Sequence, residues 1–463
     1  MKFIGRETER KRIHKLTENQ EMSSALIYGR RRVGKSELIK QCLRESKLKS
    51  IYYECKQTAE LSNVASLSEI ISEVFGFPPL SFNSFESCLE YLFKAAVERP
   101  LVLVLDEYPY LRENVTGMDS ILQTMIDKYA KNSKLKLILC GSFVEVMKSL
   151  LMEDNPLYGR IDLTIDVKPM DYWESAKFYP DYSEEDKVRL YSVFGGIPYY
   201  NRLINGDLTV QGNIQDLIAS SGARLENEIS MFLKSEISKI TNANEVFETL
   251  AKGYSRFNDI LSQSHVSSSP TLVDVLEKLI KMEVVEKQAP INDENNKRKA
   301  GYYITDPLSK FYYRYVFRYL SQLGVMDSSV FWNRYIQEDF ESRYVPQAFE
   351  AVCRQYLIKQ NRQGLLGEVF DKIGKYWYDD PVNKSNGEFD VVTLDPKGYI
   401  FYEAKFRKEK ITESMIRQEI DQVEKTGLKP YKYGFFSRAG FSVNHDNGNI
   451  MLIPLEKLYD EKS

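Results

Sequence analysis

The sequence predicts a multidomain α/β chain, on three observations. At 463 residues, and roughly 150 residues per domain, about three domains are expected. Hydrophobic residues make up 43% and charged residues 28%, the balance of a globular chain and not of a disordered one. Short branched apolar runs alternate with helical patterns through the first 165 residues, the rhythm of a parallel sheet with helices on both faces.

Charge and special residues narrow the class. There are 63 Lys and Arg against 66 Asp and Glu, a net charge of −3, too balanced for a protein that coats nucleic acid or membrane without specificity. Residues 1–50 nevertheless hold 14 basic against 6 acidic residues, so positive charge gathers around one N-terminal site. No apolar run approaches the ~20 residues of a bilayer span. The N-terminus is charged from Arg6 through Lys15, unlike the apolar centre of a signal peptide. Five scattered cysteines (Cys42, Cys55, Cys88, Cys140, Cys353) form no C-x-x-C pair, and His14, His265 and His445 lie far apart. Free thiols in a reducing, cytoplasmic setting are expected, with neither a disulfide framework nor a histidine metal site.

The N-terminal strands are expected at Ala25–Tyr28, Ser50–Tyr53, Leu101–Leu105 and Leu135–Cys140, each apolar and followed by polar or glycine punctuation. Directly after the first comes Gly29-Arg30-Arg31-Arg32-Val33-Gly34-Lys35-Ser36, which fits G-x-x-x-x-G-K-[ST] between a strand and a helix. The glycines let backbone N–H groups wrap a phosphate chain, and the new helix points its positive end at it. Lys35 is placed to reach the terminal phosphates and the Ser36 hydroxyl to ligate magnesium, so ATP and Mg2+ are the expected cofactors. The third strand ends in Asp106-Glu107. Asp106 suits the magnesium shell, and Glu107 suits orienting or deprotonating the attacking water. The fourth strand ends in Cys140-Gly141-Ser142, which sets Ser142 beside the same site.

With these residues residues 1–235 resemble the AAA-related ATPases of the signal-transducing (STAND-like) class, abundant in archaea and some bacteria. Phe3-Ile4-Gly5-Arg6-Glu7 is similar to that group's N-terminal adenine-side motif, and Gly195-Gly196-Ile197-Pro198 to its helical-lid motif. The resemblance implies a P-loop ATPase parallel sheet over 1–165 and a helical lid over 166–235, with Pro198 facing the base. Leu157-Tyr158-Gly159-Arg160 resembles the segment that carries a phosphate-sensing arginine. Arg160 would act within the chain or from a neighbouring subunit, and a homo-oligomer or a partner protein is open.

Residues 236–307 read as three short helices, Asn244–Ala251, Arg256–Leu261 and Pro270–Met282, then strand Glu283–Lys287, a polar tip with Lys297-Arg298-Lys299, and strand Tyr302–Thr305. Pro270 suits the first helical position behind Ser269. The pattern resembles a winged helix, a fold that serves DNA and protein partners alike. DNA is an expected partner, although residues 234–318 carry only 13 basic against 11 acidic residues, a weak electrostatic footprint. An aromatic-rich helix from Leu308 to about Leu323, in a linker over 308–334, reads as packing between domains rather than a platform for single strands.

The last part, 335–463, opens with a helix carrying Phe349-Glu350 and passes through Gly387–Leu394, the turn Asp395-Pro396-Lys397-Gly398, and Tyr399–Phe406. Two alternating strands around a Pro/Gly turn make a hairpin. An acid on the first strand and Glu403-Ala404-Lys405 on the second resemble the PD-(D/E)XK (restriction-endonuclease-like) nuclease fold. Helix Glu413–Glu424 and strands Tyr433–Ser437 and Ile450–Pro454 complete its αβββαβ order. The resemblance implies metal-dependent phosphodiester hydrolysis: Asp390 and Glu403, with Glu350, hold Mg2+ or Mn2+, and Lys405 positions or activates the water. It equally allows an inert binding module. If Leu394 pairs with Tyr399, Asp390 stands opposite Glu403. Asp390, Glu403 and Lys405 are then expected on one face, and Phe389, Val391, Tyr402, Ala404 and Phe406 on the other. Asp390 and Glu403 on opposite faces would exclude the metal site.

Overall fold

The structure is a computed structural model that describes residues 3–236, 240–296, 299–380, 385–443 and 448–460. The chain folds as two compact units: Met1–Pro169 with Ile197–Tyr199, and Met170–Gly196 with Tyr200–Ser463.

In the first unit, β1 (Ser23–Tyr28), β2 (Lys49–Glu54), β3 (Leu101–Asp106), β4 (Leu135–Gly141) and β5 (Leu163–Asp166) form one sheet in the order β2-β3-β4-β1-β5. All neighbours are parallel. Every residue of β1, β3 and β4 is buried, as runs apolar on both sides require. The four expected strands are present, each extended by one or two residues. The fifth, β5, escaped the sequence reading because Leu-Thr-Ile-Asp is short and half-polar, the make-up of an edge strand. The carboxyl ends of the central strands lie side by side, with Tyr28 opposite Gly141 and Leu105 opposite Leu139. Gly29 leaves β1 at φ +151°, where a Cβ would stand 2.3 Å from the Val167 carbonyl oxygen. Only glycine permits that approach.

The second unit opens with short helices Tyr172–Ala176, Glu184–Phe194 and Val210–Leu217, started by Asp171, Ser183 and Thr209. Each of these side chains accepts the amide N–H three residues on, satisfying one of the donors a helix start leaves unpaired. Helices Ile240–Ala251, Phe257–Gln263 and Ser269–Lys281 follow, then the antiparallel pair β6 (Val285–Gln288) and β7 (Gly301–Ile304). The cap of the third helix is Ser268, which accepts from the Thr271 amide at 3.3 Å, so the helix begins one residue before its expected start at Pro270. Its buried stripe is Leu272, Val275, Leu276 and Leu279.

The aromatic segment is not one regular helix. An α-turn at Pro307–Phe311 widens to a π-turn at Tyr312–Val316 and tightens to a 3-10 turn at Phe317–Tyr319. Phe311, Tyr312, Tyr313 and Tyr315 are buried, in line with the packing role expected for them.

Strands β8 (Lys372–Asp380), β9 (Ser385–Asp395), β10 (Gly398–Lys405), β11 (Lys432–Ser437) and β12 (Ile450–Pro454) form a mixed sheet in the order β12-β11-β10-β9-β8. Helix Val345–Gln363 buries Phe349, Val352, Cys353, Tyr356 and Leu357 at helical spacing and stops at Gly364, φ +68°. The β9–β10 hairpin has the expected register, with Leu394 opposite Tyr399 and Val391 opposite Tyr402.

Gly196 is the tightest glycine of the second unit. The Met170 amide donates to the Gly196 carbonyl at 2.8 Å, and a Cβ on Gly196 would stand 1.8 Å from the Met170 carbonyl oxygen. Gly196→Ala should therefore lower the melting temperature by more than about 5 °C, the mark of overpacking worth ~1–3 kcal/mol. Differential scanning calorimetry of the purified variant checks it.

Candidate functional site

The phosphate-loop residues converge at the carboxyl edge of the first sheet. Helix Lys35–Glu45 starts directly from Gly34, φ +95°. The Lys35 ammonium donates to the carbonyls of Gly29 (2.9 Å) and Arg30 (3.0 Å) and to Ser142 Oγ (3.0 Å). Burial pushes its pKa down, while Cys140, Glu107 and Asp106 work the other way. Ser36 Oγ donates to Asp106 Oδ2 at 2.7 Å, and the Tyr52 hydroxyl donates to the same oxygen. Burial raises the Asp106 carboxyl, but hydrogen bonds from Tyr52, Cys140 and Ser36 outweigh it and hold the group below its ordinary value. Ser36 and Asp106 thus meet as the hydroxyl and carboxylate that would hold a magnesium ion beside substrate phosphates, the Tyr52 hydroxyl donates to the same carboxylate, and Lys35 rests on carbonyls that a phosphate would relieve. The residues fit ATP and Mg2+.

Glu107 stands at φ +52°, ψ +42°, an uncommon left-handed conformation for a residue with a side chain. Its carboxylate accepts from Ser142 Oγ (2.8 Å) and the Ser142 amide (3.3 Å), so Ser142 links the candidate base to Lys35. Arg31 donates to Tyr110 Oη at 3.4 Å and lies over Phe143 at 5.5 Å. Arg32, at φ +67°, lies over the Tyr199 ring at 4.4 Å. Arg30 and Val33 are buried, and the Arg6 guanidinium donates to the carbonyls of Val33 (3.2 Å) and Lys168 (2.6 Å). Pro198 sits against Gly34, 3.6 Å from where a Cβ would be. Arg160 is not brought to this loop. It grips Asp127 with two bonds of 2.8 and 2.9 Å, and its carbonyl accepts from Ser24 at the opposite end of β1. A sensing role within its own unit is therefore corrected. Sequence reasoning also missed Tyr52 and Tyr110; the only signal for Tyr52 is its place next to the end of a strand bordering the site.

The C-terminal acids are arranged differently from the expectation. Gly374 opposes Val392 and Tyr376 opposes Phe389, so β9 carries one extra residue between them, a β-bulge. Phe389 therefore faces the same way as Val392 and packs with it against Phe401, not on the face with Val391 and Tyr402. Lys375, between Gly374 and Tyr376, points to the other face and meets Asp390 at 2.8 Å and Glu388 at 2.6 Å. Glu403 follows Phe401 by alternation. It pairs with Lys405 at 2.5 Å, which also reaches Glu419 at 2.7 Å. Asp390 and Glu403 are thus turned to opposite faces, and the expected metal centre at Glu350, Asp390 and Glu403 is not assembled. Among the described residues no group of three or more His, Cys, Asp or Glu is placed to hold a metal ion.

These acids still feel one another. Burial pushes Glu350 up to about 8, with Asp390 adding to the shift and Lys375 and Arg354 opposing it. Burial likewise raises Glu403, relieved by Lys405. Lys310, facing Glu350, is pushed down to about 8 by burial and by Arg314.

Among its described residues, the wing-like hairpin tip packs against β8. The Ile291 amide donates to the Lys375 carbonyl at 2.8 Å, and the Asn292 side chain bonds the Trp377 backbone in both directions. Ile291 lies in the apolar cluster with Phe389, Val392 and Phe401. Lys299 pairs with Asp293 at 2.8 Å and lies over Trp377 at 3.9 Å; Lys297 and Arg298 lie outside the described residues, as does His445. Helix Ser269–Lys281 exposes Val273, Asp274, Glu277 and Lys281, a face without the basic surplus that phosphate contact requires.

Residues 3–202 match the model of an ATPase domain predominantly from archaea, and residues 312–419 match that of archaeal and bacterial proteins of unknown function. An uncharacterised protein of Methanocaldococcus jannaschii is 27% identical over 460 residues, 98% of this chain and 99% of that one. The Walker-type ATPase PABY2304 of Pyrococcus abyssi aligns in structure with a TM-score of 0.50 at 20% identity, over 67% of this chain and 96% of that one. For the ORC2 protein of Aeropyrum pernix, solved in ADPNP–ADP complexes, the values are 0.48 and 13%, over 66% and 91%. An ATPase domain therefore occupies the first two hundred residues.

Two outcomes follow from this geometry. Lys35→Ala should abolish ATP binding or turnover with the fold intact, whereas Glu107→Gln should keep binding and lose at least about 100-fold in turnover. Nucleotide titration beside a phosphate-release assay separates the two. Glu350 is protonated in the folded state up to about 8, against an ordinary value of 4.5. Between those values the folded state holds a proton that the unfolded state has lost, so stability falls as pH rises through that window. Glu350→Gln should flatten the fall, and its melting temperature should gain several degrees on the wild type between pH 6 and pH 9.

Proposed function

We propose that this ATPase is a nucleotide-driven switch whose C-terminal unit is moved by the nucleotide state and does not cut phosphodiesters. The observation that carries the reading is the membership of Ile197–Tyr199. These three residues pack with the P-loop unit, while the chain on either side of them belongs to the other unit. Pro198 lies against Gly34, and the Tyr199 ring covers Arg32. A change at the loop therefore acts on a segment covalently continuous, in both directions, with the lid-like helices. In this reading the triphosphate supplies the scissile bond, Lys35 holds its terminal phosphates, Ser36 and Asp106 hold the magnesium ion, and Glu107 orients the attacking water under the control of Ser142.

The inert C-terminal unit is supported by chemistry already described. A metal nuclease needs two or three carboxylates converging on a cation. Here Lys375 spans Glu388 and Asp390, and Lys405 spans Glu403 and Glu419. The element order over residues 345–454, the helix-and-hairpin arrangement before it, and the resemblances drawn from them fit a nuclease-like fold and a winged helix used for internal docking. DNA remains the partner to test, and the charge-balanced outer face of helix Ser269–Lys281, where Asp274 and Glu277 stand beside Lys278 and Lys281, weighs against it.

Two measurements decide. Hydrogen exchange on Glu107→Gln, with and without ATP, should change protection at 170–196 and 200–236, and Lys35→Ala should abolish the change. Unchanged exchange in those helices would overturn the switch. Supercoiled plasmid with ATP and Mn2+ should stay intact in the presence of the wild type. Cleavage that disappears in Asp390→Ala would establish a nuclease instead.

A further inference from the structure

The second unit holds a cavity of about 310 Å3 that the ATPase reading does not use. It lies where the aromatic segment changes its winding, and its walls include Lys252, Tyr313, Arg314, Arg318, Tyr319 and Tyr335. The π-turn at Tyr312–Val316 adds one residue to the helical circuit, a distortion frequent at functional sites. Here it sinks Tyr313 and Tyr315 into the core and turns the intervening Arg314 to Asp339, which it holds at 2.7 and 2.9 Å. The next turn then presents Arg318 and Tyr319 at the mouth.

Two features of the mouth specify a ligand. Tyr319 and Tyr335 stack at 4.4 Å and 30°, and both rings stay partly exposed. Lys252 and Arg318 converge on a single carboxylate, Glu248, at 2.8 and 3.5 Å. Asp339 is already matched by Arg314 and by the Tyr315 hydroxyl at 2.6 Å, so among the described residues Lys252 and Arg318 share the one carboxylate of Glu248. A flat π-face beside surplus positive charge suits a planar base joined to a phosphate. The volume lies at the lower end of the roughly 300–1,000 Å3 of small-molecule sites. A continuous single strand is less well served, because it needs successive platforms along a groove, and the four aromatics Phe311, Tyr312, Tyr313 and Tyr315 are buried.

We propose that this cavity binds one mononucleotide, its base against the Tyr319–Tyr335 pair and its phosphate on Arg318 and Lys252, independently of the P-loop. The test is calorimetric titration of the full chain with AMP, GMP, CMP and UMP in turn. At least one should bind saturably at one per chain, with equal affinity in Lys35→Ala. Arg318→Gln, and separately Lys252→Gln on another helix, should weaken that binding at least tenfold without changing ATP turnover or melting temperature. Absence of saturable binding by all four in Lys35→Ala overturns the proposal. Binding that survives both Arg318→Gln and Lys252→Gln overturns it too, as does tight binding of a thymidine oligonucleotide by a protein that binds none of the four.

Discussion

The passage of the chain at Gly29 is the constraint on which the nucleotide unit depends. Leaving β1, the backbone comes so near the Val167 carbonyl that even a methyl group would collide with it. This approach lets β5 continue the sheet beyond β1, with the Val167 amide donating to the Tyr28 carbonyl at 2.7 Å. It also aims the loop back so that Lys35 closes on the Gly29 and Arg30 carbonyls. Once the loop is fixed, the ends of β3 and β4 must supply what it lacks, and Asp106, Glu107 and Ser142 arrive from them. A buried ammonium is tolerable only with such company: burial alone disfavours its charge, and the carbonyls and nearby acids restore it.

Much of this unit was legible because its signals are local. A fully apolar run identifies a strand buried on both faces, and a glycine-bounded loop between strand and helix identifies a phosphate cradle. Lys35, Ser36, Asp106, Glu107 and Ser142 are consequently found together. What was not legible depends on partners distant in sequence. Arg160 has the motif of a sensor, yet its fate is set by Asp127 on a neighbouring helix, which no spacing reveals. Tyr52 joins Asp106 because β2 runs in register with β3, with Glu54 opposite Asp106; nothing in Ser-Ile-Tyr-Tyr announces that role.

The C-terminal unit shows how one residue can separate a correct register from a correct site. The hairpin pairs as its turn requires, from Asp395–Gly398 to Val391–Tyr402. Alternation then places Asp390 opposite Glu403 only if β9 stays regular, and regularity is decided by its other neighbour. Against β8 the strand gains a residue, and Phe389 joins Val392 and Phe401 on the apolar side. The ring is buried where the regular ladder is broken, and Asp390 lies against Lys375. The tip of the preceding hairpin reinforces the choice, since Ile291 fills the space that the missing side chain of Gly374 leaves.

Electrostatics then accounts for the lysines. Asp390 and Glu403 each add to the rise of the buried Glu350 carboxyl, and such like charges call for neutralisation by a cation or a proton. A divalent ion would have to assemble its ligands on one side of the sheet, and the bulge divides them between two. Ammonium groups on flexible stems can serve both sides separately. Burial works against the charge of Lys375, but Asp390 and Glu388 outweigh it and raise its pKa. Lys405 is raised likewise by Glu403 and Glu419 against its own burial. Both lysines thus stay charged across the physiological range, and each neutralises acids that would otherwise require metal. Glu350, raised by burial and by Asp390 and only partly relieved by Lys375 and Arg354, takes up a proton instead. Two cations from the chain and one proton from solvent supply the compensation that a metal ion would otherwise provide. A sequence that carries the carboxylates and the lysine of a metal nuclease can therefore fold into a self-neutralised module, because the position of a single inserted residue decides which charges meet.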